Sequence, residues 1–91
     1  MGNLMERTFE MQSGGNLRLK VKENTKCVTL FADVEGEEDV EMWDMTVEEL
    51  EEFVDGAEDE GEEYVDLCTS HMGYTFDINV EELKEFIKDI E

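Results

Sequence analysis

Twice in this chain a stretch of strand-like alternation gives way to a helical pattern, and the same words are used at both places. "DMTVEELEEFVD" (44–55) and "DINVEELKEFIK" (77–88) lie 33 residues apart and agree at 7 of 12 positions. Thr46 with Glu49, and Asn79 with Glu82, carry the spacing of a helix cap, in which a short polar side chain accepts from an N–H of the first turn. Behind the first cap Val47, Leu50, Phe53, Val54 and Ala57 recur at helical spacing. Behind the second, Val80, Leu83, Phe86, Ile87 and Ile90 do the same. The spacing predicts a helix from about Thr46 to Gly56 and a closing helix from about Asn79. Gly56 and Gly61 are expected to mark the end of the first helix and an acidic loop beyond it. Phe53, Leu83, Phe86 and Ile87 are expected to be buried against a sheet.

The sheet is read from period-two alternation. "RTFEM" (7–11), the turn "SGGN" and "LRLKVK" (17–22) describe a hairpin with Leu17, Leu19 and Val21 inward and Arg18, Lys20 and Lys22 outward. "CVTLFADV" (27–34) and "VEMWDM" (40–45), joined through the turn "EGEED", complete four antiparallel strands. "YVDLCTS" and "YTFDI", joined around "HMG", make a second hairpin. The expected fold class is therefore α+β in the order ββββαββα: one antiparallel β-sheet with two amphipathic helices on one face, as a single domain over residues 1–91. The repeated segment is read either as convergence of two capped acidic helices or as a duplicated ββα unit.

With 40% hydrophobic residues the chain has the apolar material for a core, which separates it from charged disordered tails despite a net charge of −20. No stretch approaches the roughly 20 apolar residues of a membrane span. The start, "MGNLMERTFEM", lacks the basic flank and apolar core of a signal peptide, and Glu6 stands where a myristoylation motif has Ser or Thr. A cytoplasmic protein without membrane contact is expected, with Cys27 and Cys68 reduced and buried as small hydrophobes.

Dedicated chemistry finds little to work with. A calcium loop beginning at Asp55 would have Ala57 at its third position and Glu60 in place of glycine at its sixth. One beginning at Asp33 would have Glu38 at the sixth. "CTSH" places Cys68 and His71 at ligand spacing, but Cys27 is the one remaining sulfur for a zinc site. There is one His, no nucleophile elbow and no phosphate-cradling glycine loop. The expectation is no enzyme, no cofactor and no metal. Direct nucleic-acid binding is also not expected, because phosphate affinity comes from Lys and Arg. Arg18, Lys20, Lys22 and Lys26 form a short basic strip, read as an internal counter-charge for nearby acids or as protection of an edge strand.

All seven bases lie toward the two ends of the chain, and between Cys27 and Leu83 there are 21 acids with no Lys or Arg. Self-repulsion on that scale lowers stability, and folding does not require it. The candidate partner-binding residues are the turn acids Glu35, Glu37, Glu38 and Asp39. The first helix adds Glu48, Glu51, Glu52 and Asp55, and the stretch after it adds Glu58, Asp59, Glu60, Glu62 and Glu63. Carboxylates on a rigid scaffold can occupy a cleft built for phosphates, with fast, electrostatically steered association.

In size, charge and carboxylate-studded α/β make-up the chain resembles the small, acidic nucleic-acid-mimic inhibitors of phages and mobile elements, the anti-CRISPR and anti-restriction type. The resemblance covers composition over the whole chain. It implies an inhibitor that acts in the host cytoplasm on a basic DNA- or RNA-binding protein, such as a CRISPR effector or another host-defence nuclease. Two other readings stand beside it. One is an immunity-protein or antitoxin-like inhibitor of one basic enzyme, with an apolar hot spot at Trp43, Tyr64 or Tyr74. The other is an acidic, solvated domain without mimicry. The oligomeric state is left open.

Overall fold

A computed structural model describes residues 6–12, 14–22, 26–68 and 74–90. The order is β1 (Glu6–Glu10), β2 (Asn16–Val21), β3 (Cys27–Val34), β4 (Glu37–Thr46), α1 (Val47–Asp59), β5 (Tyr64–Cys68), β6 (Thr75–Asn79) and α2 (Val80–Ile90). This is the expected ββββαββα order of an α+β fold. The "HMG" connection and His71 lie outside the described residues.

The strands form two antiparallel sheets rather than the expected one: a four-stranded meander β1-β2-β3-β4 and a hairpin β5-β6. A backbone hydrogen bond from the Gln12 N–H to the Asp77 carbonyl, 3.1 Å, links them. It falls beyond the end of β1, so no ladder develops between β1 and β6. Alternate residues of the strands, Phe9, Leu17, Leu19, Val28, Leu30 and Ala32, point into a single core. That core also takes Val65 and Leu67 of β5, Phe76 and Ile78 of β6, and the apolar stripes of both helices.

The caps are made as the sequence requires. At α1 the Glu49 N–H donates to Thr46 Oγ1 at 3.1 Å, and the Thr46 N–H donates back to Glu49 Oε1 at 3.0 Å. At α2 the Glu82 N–H donates to Asn79 Oδ1 at 3.1 Å. α1 does not stop at Gly56, however. It runs on to Asp59 and ends in a Schellman motif, with the Glu62 N–H on the Ala57 carbonyl (2.9 Å) and the Gly61 N–H on the Glu58 carbonyl (3.0 Å). Gly61 supplies the left-handed residue at φ +69°, the conformation that favours glycine. Asp55, Glu58 and Asp59 therefore sit on a helix, and only Glu60 to Glu63 form the loop.

The β3–β4 turn is also tighter than expected. Glu35 and Gly36 alone make it, at φ +48° and +82°, the signs of a type I′ hairpin. Glu37, Glu38 and Asp39 already belong to β4, with Asp39 bulged at φ +56°. Its N–H is held by Asp33 Oδ1 at 3.0 Å. β2 is an interior strand, so its lysines do not guard a sheet edge. Cys27 is half-buried and Cys68 exposed, in contrast to the expected burial, because each occupies the terminal position of a strand. They do not form a disulfide. Among the described residues no helix is long and apolar enough to cross a membrane.

Leu83, Phe86 and Ile87 are buried as expected, but Phe53 is only half-buried. The buried stripe of α1 runs Val47, Leu50, Val54 and Ala57, and Phe53 lies on its flank. Met11 and Met45 fill core space. Trp43, beside a bulge in β4, keeps 36% of its surface exposed.

Candidate functional site

The thirteen acids singled out from the sequence are all at the surface, with Glu51 half-buried and the rest exposed. They are not one patch. The Glu35–Gly36 turn and the N-terminus of α1 lie at opposite ends of the ten-residue β4, roughly 30 Å apart at about 3.3 Å per residue.

Two of the four turn acids, Asp39 and Glu35, are met from within. Asp39 takes both ends of the Arg18 guanidinium, from Nε and Nη2 at 3.0 Å each, and Glu6 accepts from Nη1 of the same group at 3.3 Å. These bonds hold the Asp39 carboxyl below the usual carboxylate range and push the Arg18 pKa up. The guanidinium carbon lies 4.1 Å from the centroid of the Phe31 ring, a cation–π contact. Lys22 Nζ donates to Asp44 Oδ2 at 2.7 Å, and Thr29 Oγ1 donates to Asp44 Oδ1 at 2.9 Å. Both lower the Asp44 pKa, the lysine more than the threonine. Glu35 accepts from the Tyr74 hydroxyl, which pushes that phenol above its ordinary value. Arg18 of β2 acts here as internal counter-charge, and Lys22, just past the end of β2, does the same toward the other end of β4.

The other region is different in kind. α1 carries seven acids and no base, and the loop after it adds Glu60, Glu62 and Glu63. Glu48, Glu52, Asp55 and Asp59 succeed one another at spacings of four, three and four, a single row down the exposed side. Among the described residues Glu58 is the one acid of this helix held by a basic side chain, Lys84 of α2 at 2.7 Å. That hydrogen bond raises the Lys84 pKa. Glu49 is occupied in the cap. The remaining acids repel one another, and those near the C-terminus also oppose the helix dipole.

Flanking this row is an open groove between α1 and β5, about 490 Å³, lined by Phe53, Ala57, Val65 and acids of both elements. The sequence reading passed over it by assigning Phe53 to the core. The signal was present: Phe53 lies at the edge of the stripe, and the neighbouring Gly56 is a mid-helix glycine without a turn to make. Of the three proposed hot-spot aromatics, Tyr74 stacks on Phe76 at 6.0 Å, Tyr64 is half-buried, and Trp43 is the most exposed. Among the described residues, no cluster of three or more His, Cys, Asp or Glu side chains is arranged to hold a metal ion.

No protein-family model matches the chain, and comparison with curated proteins and with solved structures gives no match.

Proposed function

We infer that the protein is an acidic nucleic-acid mimic, without catalytic activity, that blocks a basic DNA- or RNA-binding protein. CRISPR effectors and other host-defence nucleases are the target class that its resemblance to anti-CRISPR and anti-restriction inhibitors suggests. The supporting observation is the one-sided charge of α1. Leaving out Glu58, which Lys84 holds, six acids on a 13-residue helix of about 20 Å give one charge per roughly 3 Å. That is within a factor of two of the ~1.7 Å charge spacing of duplex DNA. The row is carried on a capped helix packed on the core, so its charges are held in place before a partner arrives.

Charge held this way acts by summed field, so single substitutions have small effects and several together have large ones. Asp55, Asp59, Glu60 and Glu62 are the positions to reverse, because Glu58 already has Lys84 as a partner. In the test, the immobilised protein captures basic proteins from a host lysate at low salt. Each captured protein is then assayed for binding its own DNA or RNA with increasing inhibitor. Wild type displaces the nucleic acid, and the quadruple Lys variant does so at least about tenfold more weakly. Equal displacement by both would leave the acidic row as solvated surface.

A further inference from the structure

The open groove between α1 and β5 has an apolar floor and an acidic rim. Ala57 and Val65 are buried at its base and Phe53 stands half-buried within it, while Glu52, Asp59, Glu62 and Asp66 line its sides. The repeated sequence shows what completes a helix face of this kind. In the second copy Phe86, the counterpart of Phe53, is covered by Phe9 of β1, edge to face at 5.9 Å. Arg7, two residues before Phe9, reaches Glu82 at 3.8 Å and Glu85 at 3.5 Å. Those acids are the counterparts of Glu49 and Glu52 at the 33-residue offset. Against α1, β5 brings Val65 to the groove and places Asp66 at its side. The aromatic cover and the guanidinium present over α2 thus have no equivalent in β5.

Gly56 is a second, independent sign. Glycine is a poorer helix former than alanine, and a Cβ built at Gly56 would meet nothing within 4 Å. Packing does not demand it. Its missing side chain keeps one wall of the groove low.

We propose that this groove docks an extended, basic segment of the protein partner, carrying an aromatic residue beside an arginine, as Arg7 and Phe9 do for α2. The aromatic ring sits on Phe53 and Val65, and the guanidinium pairs with Glu52. Excluding water from the pair strengthens the ion pairing, and the ring supplies the apolar anchor that a surface of carboxylates lacks. The proposal deepens the mimicry reading and rests on it: the acidic row attracts the partner, and the groove holds it.

The test uses a short labelled peptide containing Arg-Thr-Phe among further arginines, its Phe-to-Ala version, and an oligolysine of equal charge. Binding is followed by fluorescence anisotropy and by NMR shifts of the intact protein. The aromatic peptide is expected to bind about tenfold or more tightly than the alanine peptide, shifting Phe53, Gly56 and Val65. Phe53→Ala removes that preference and leaves oligolysine binding unchanged. Gly56→Gln, which fills the groove without touching the core, does the same and guards against loss of folding, checked by thermal melts. Equal affinity for the two peptides, an unaltered preference in both variants, or shifts centred on Trp43 would overturn the groove proposal while the mimicry reading stands. Oligolysine binding that ignores reversal of the α1 acids would instead remove the mimicry reading beneath it.

Discussion

Helices α1 and α2 open on the same words, Val-Glu-Glu-Leu, and differ in burial and charge pairing. Val47 and Leu50 are buried just as Val80 and Leu83 are, and both helices follow a strand through a capping side chain. The divergence begins one turn on. Glu51 and Asp55 of α1 correspond to Lys84 and Lys88 of α2, and Phe53 is half-buried where Phe86 is enclosed. Three of the four acids of α2, Glu81, Glu82 and Glu85, lie within 4.0 Å of a basic group on Arg7 or Lys84. α1 keeps the same inner face and turns its outer face into uncompensated charge. The two helices thus share an inner face and differ in how far their outer charge is compensated.

The comparison is easiest to break at the two phenylalanines. Phe86→Ala leaves a cavity beneath Phe9 and is expected to cost about 3–5 kcal/mol, a large share of a small domain's stability. Phe53→Ala, at a half-buried site, is expected to cost no more than about 1–2 kcal/mol. Urea unfolding of the two variants decides it: equal losses would mean that Phe53 is as structural as Phe86. Cap removal is next in size. Thr46→Ala and Asn79→Ala should each cost about 1 kcal/mol, since both caps accept an N–H of the first turn. An effect at one cap alone would separate the two copies further than their sequences do.

Smaller still, Gly56→Ala is expected to raise stability by about 0.5–1 kcal/mol, because the position is helical and open. A loss would show that the glycine is required for packing. Added salt should raise the melting temperature by screening the acids of α1 more than it weakens the few surface ion pairs. A melting temperature that falls with salt would mean that the ion pairs dominate. The smallest effect is confined to acid. Asp39 and Asp44 have lowered pKa values in the folded protein, so their contribution is present above the ordinary 3.8 and fades as the pH drops below it. Asp39→Asn should flatten that acid-side loss in melts at descending pH, and an unchanged profile would remove Arg18–Asp39 from the account.

Element order and both caps were legible because each rests on a local rule: strand alternation, a Thr or Asn followed by Glu, a 3.6-residue stripe. The end of α1 was misplaced because Gly56 resembles a stop signal in sequence, whereas the Schellman hydrogen bonds that stop the helix gather at Gly61. The split into two sheets depends on where β1 ends against β6, a long-range geometry that no local pattern encodes. At the candidate site, the surface position of all thirteen acids followed from helix and turn assignments. Their compensation did not, because Arg18 reaches Asp39 across 21 positions and Lys84 reaches Glu58 across 26. Those pairings take Asp39 and Glu58 out of the uncompensated charge.

Reversing that face and comparing it with the same operation on α2 is the most direct test. One variant carries Asp55, Asp59, Glu60 and Glu62 changed to Lys. The other carries Glu81, Glu85 and Asp89 changed to Lys. Both are titrated against a basic protein captured by the wild type, and displacement of that protein's own DNA or RNA is measured. The α1 variant is expected to lose inhibition by at least about tenfold while the α2 variant, corrected for its folded fraction, stays near wild type. Equal loss in both, or a wild type that leaves the nucleic acid in place, would contradict the account.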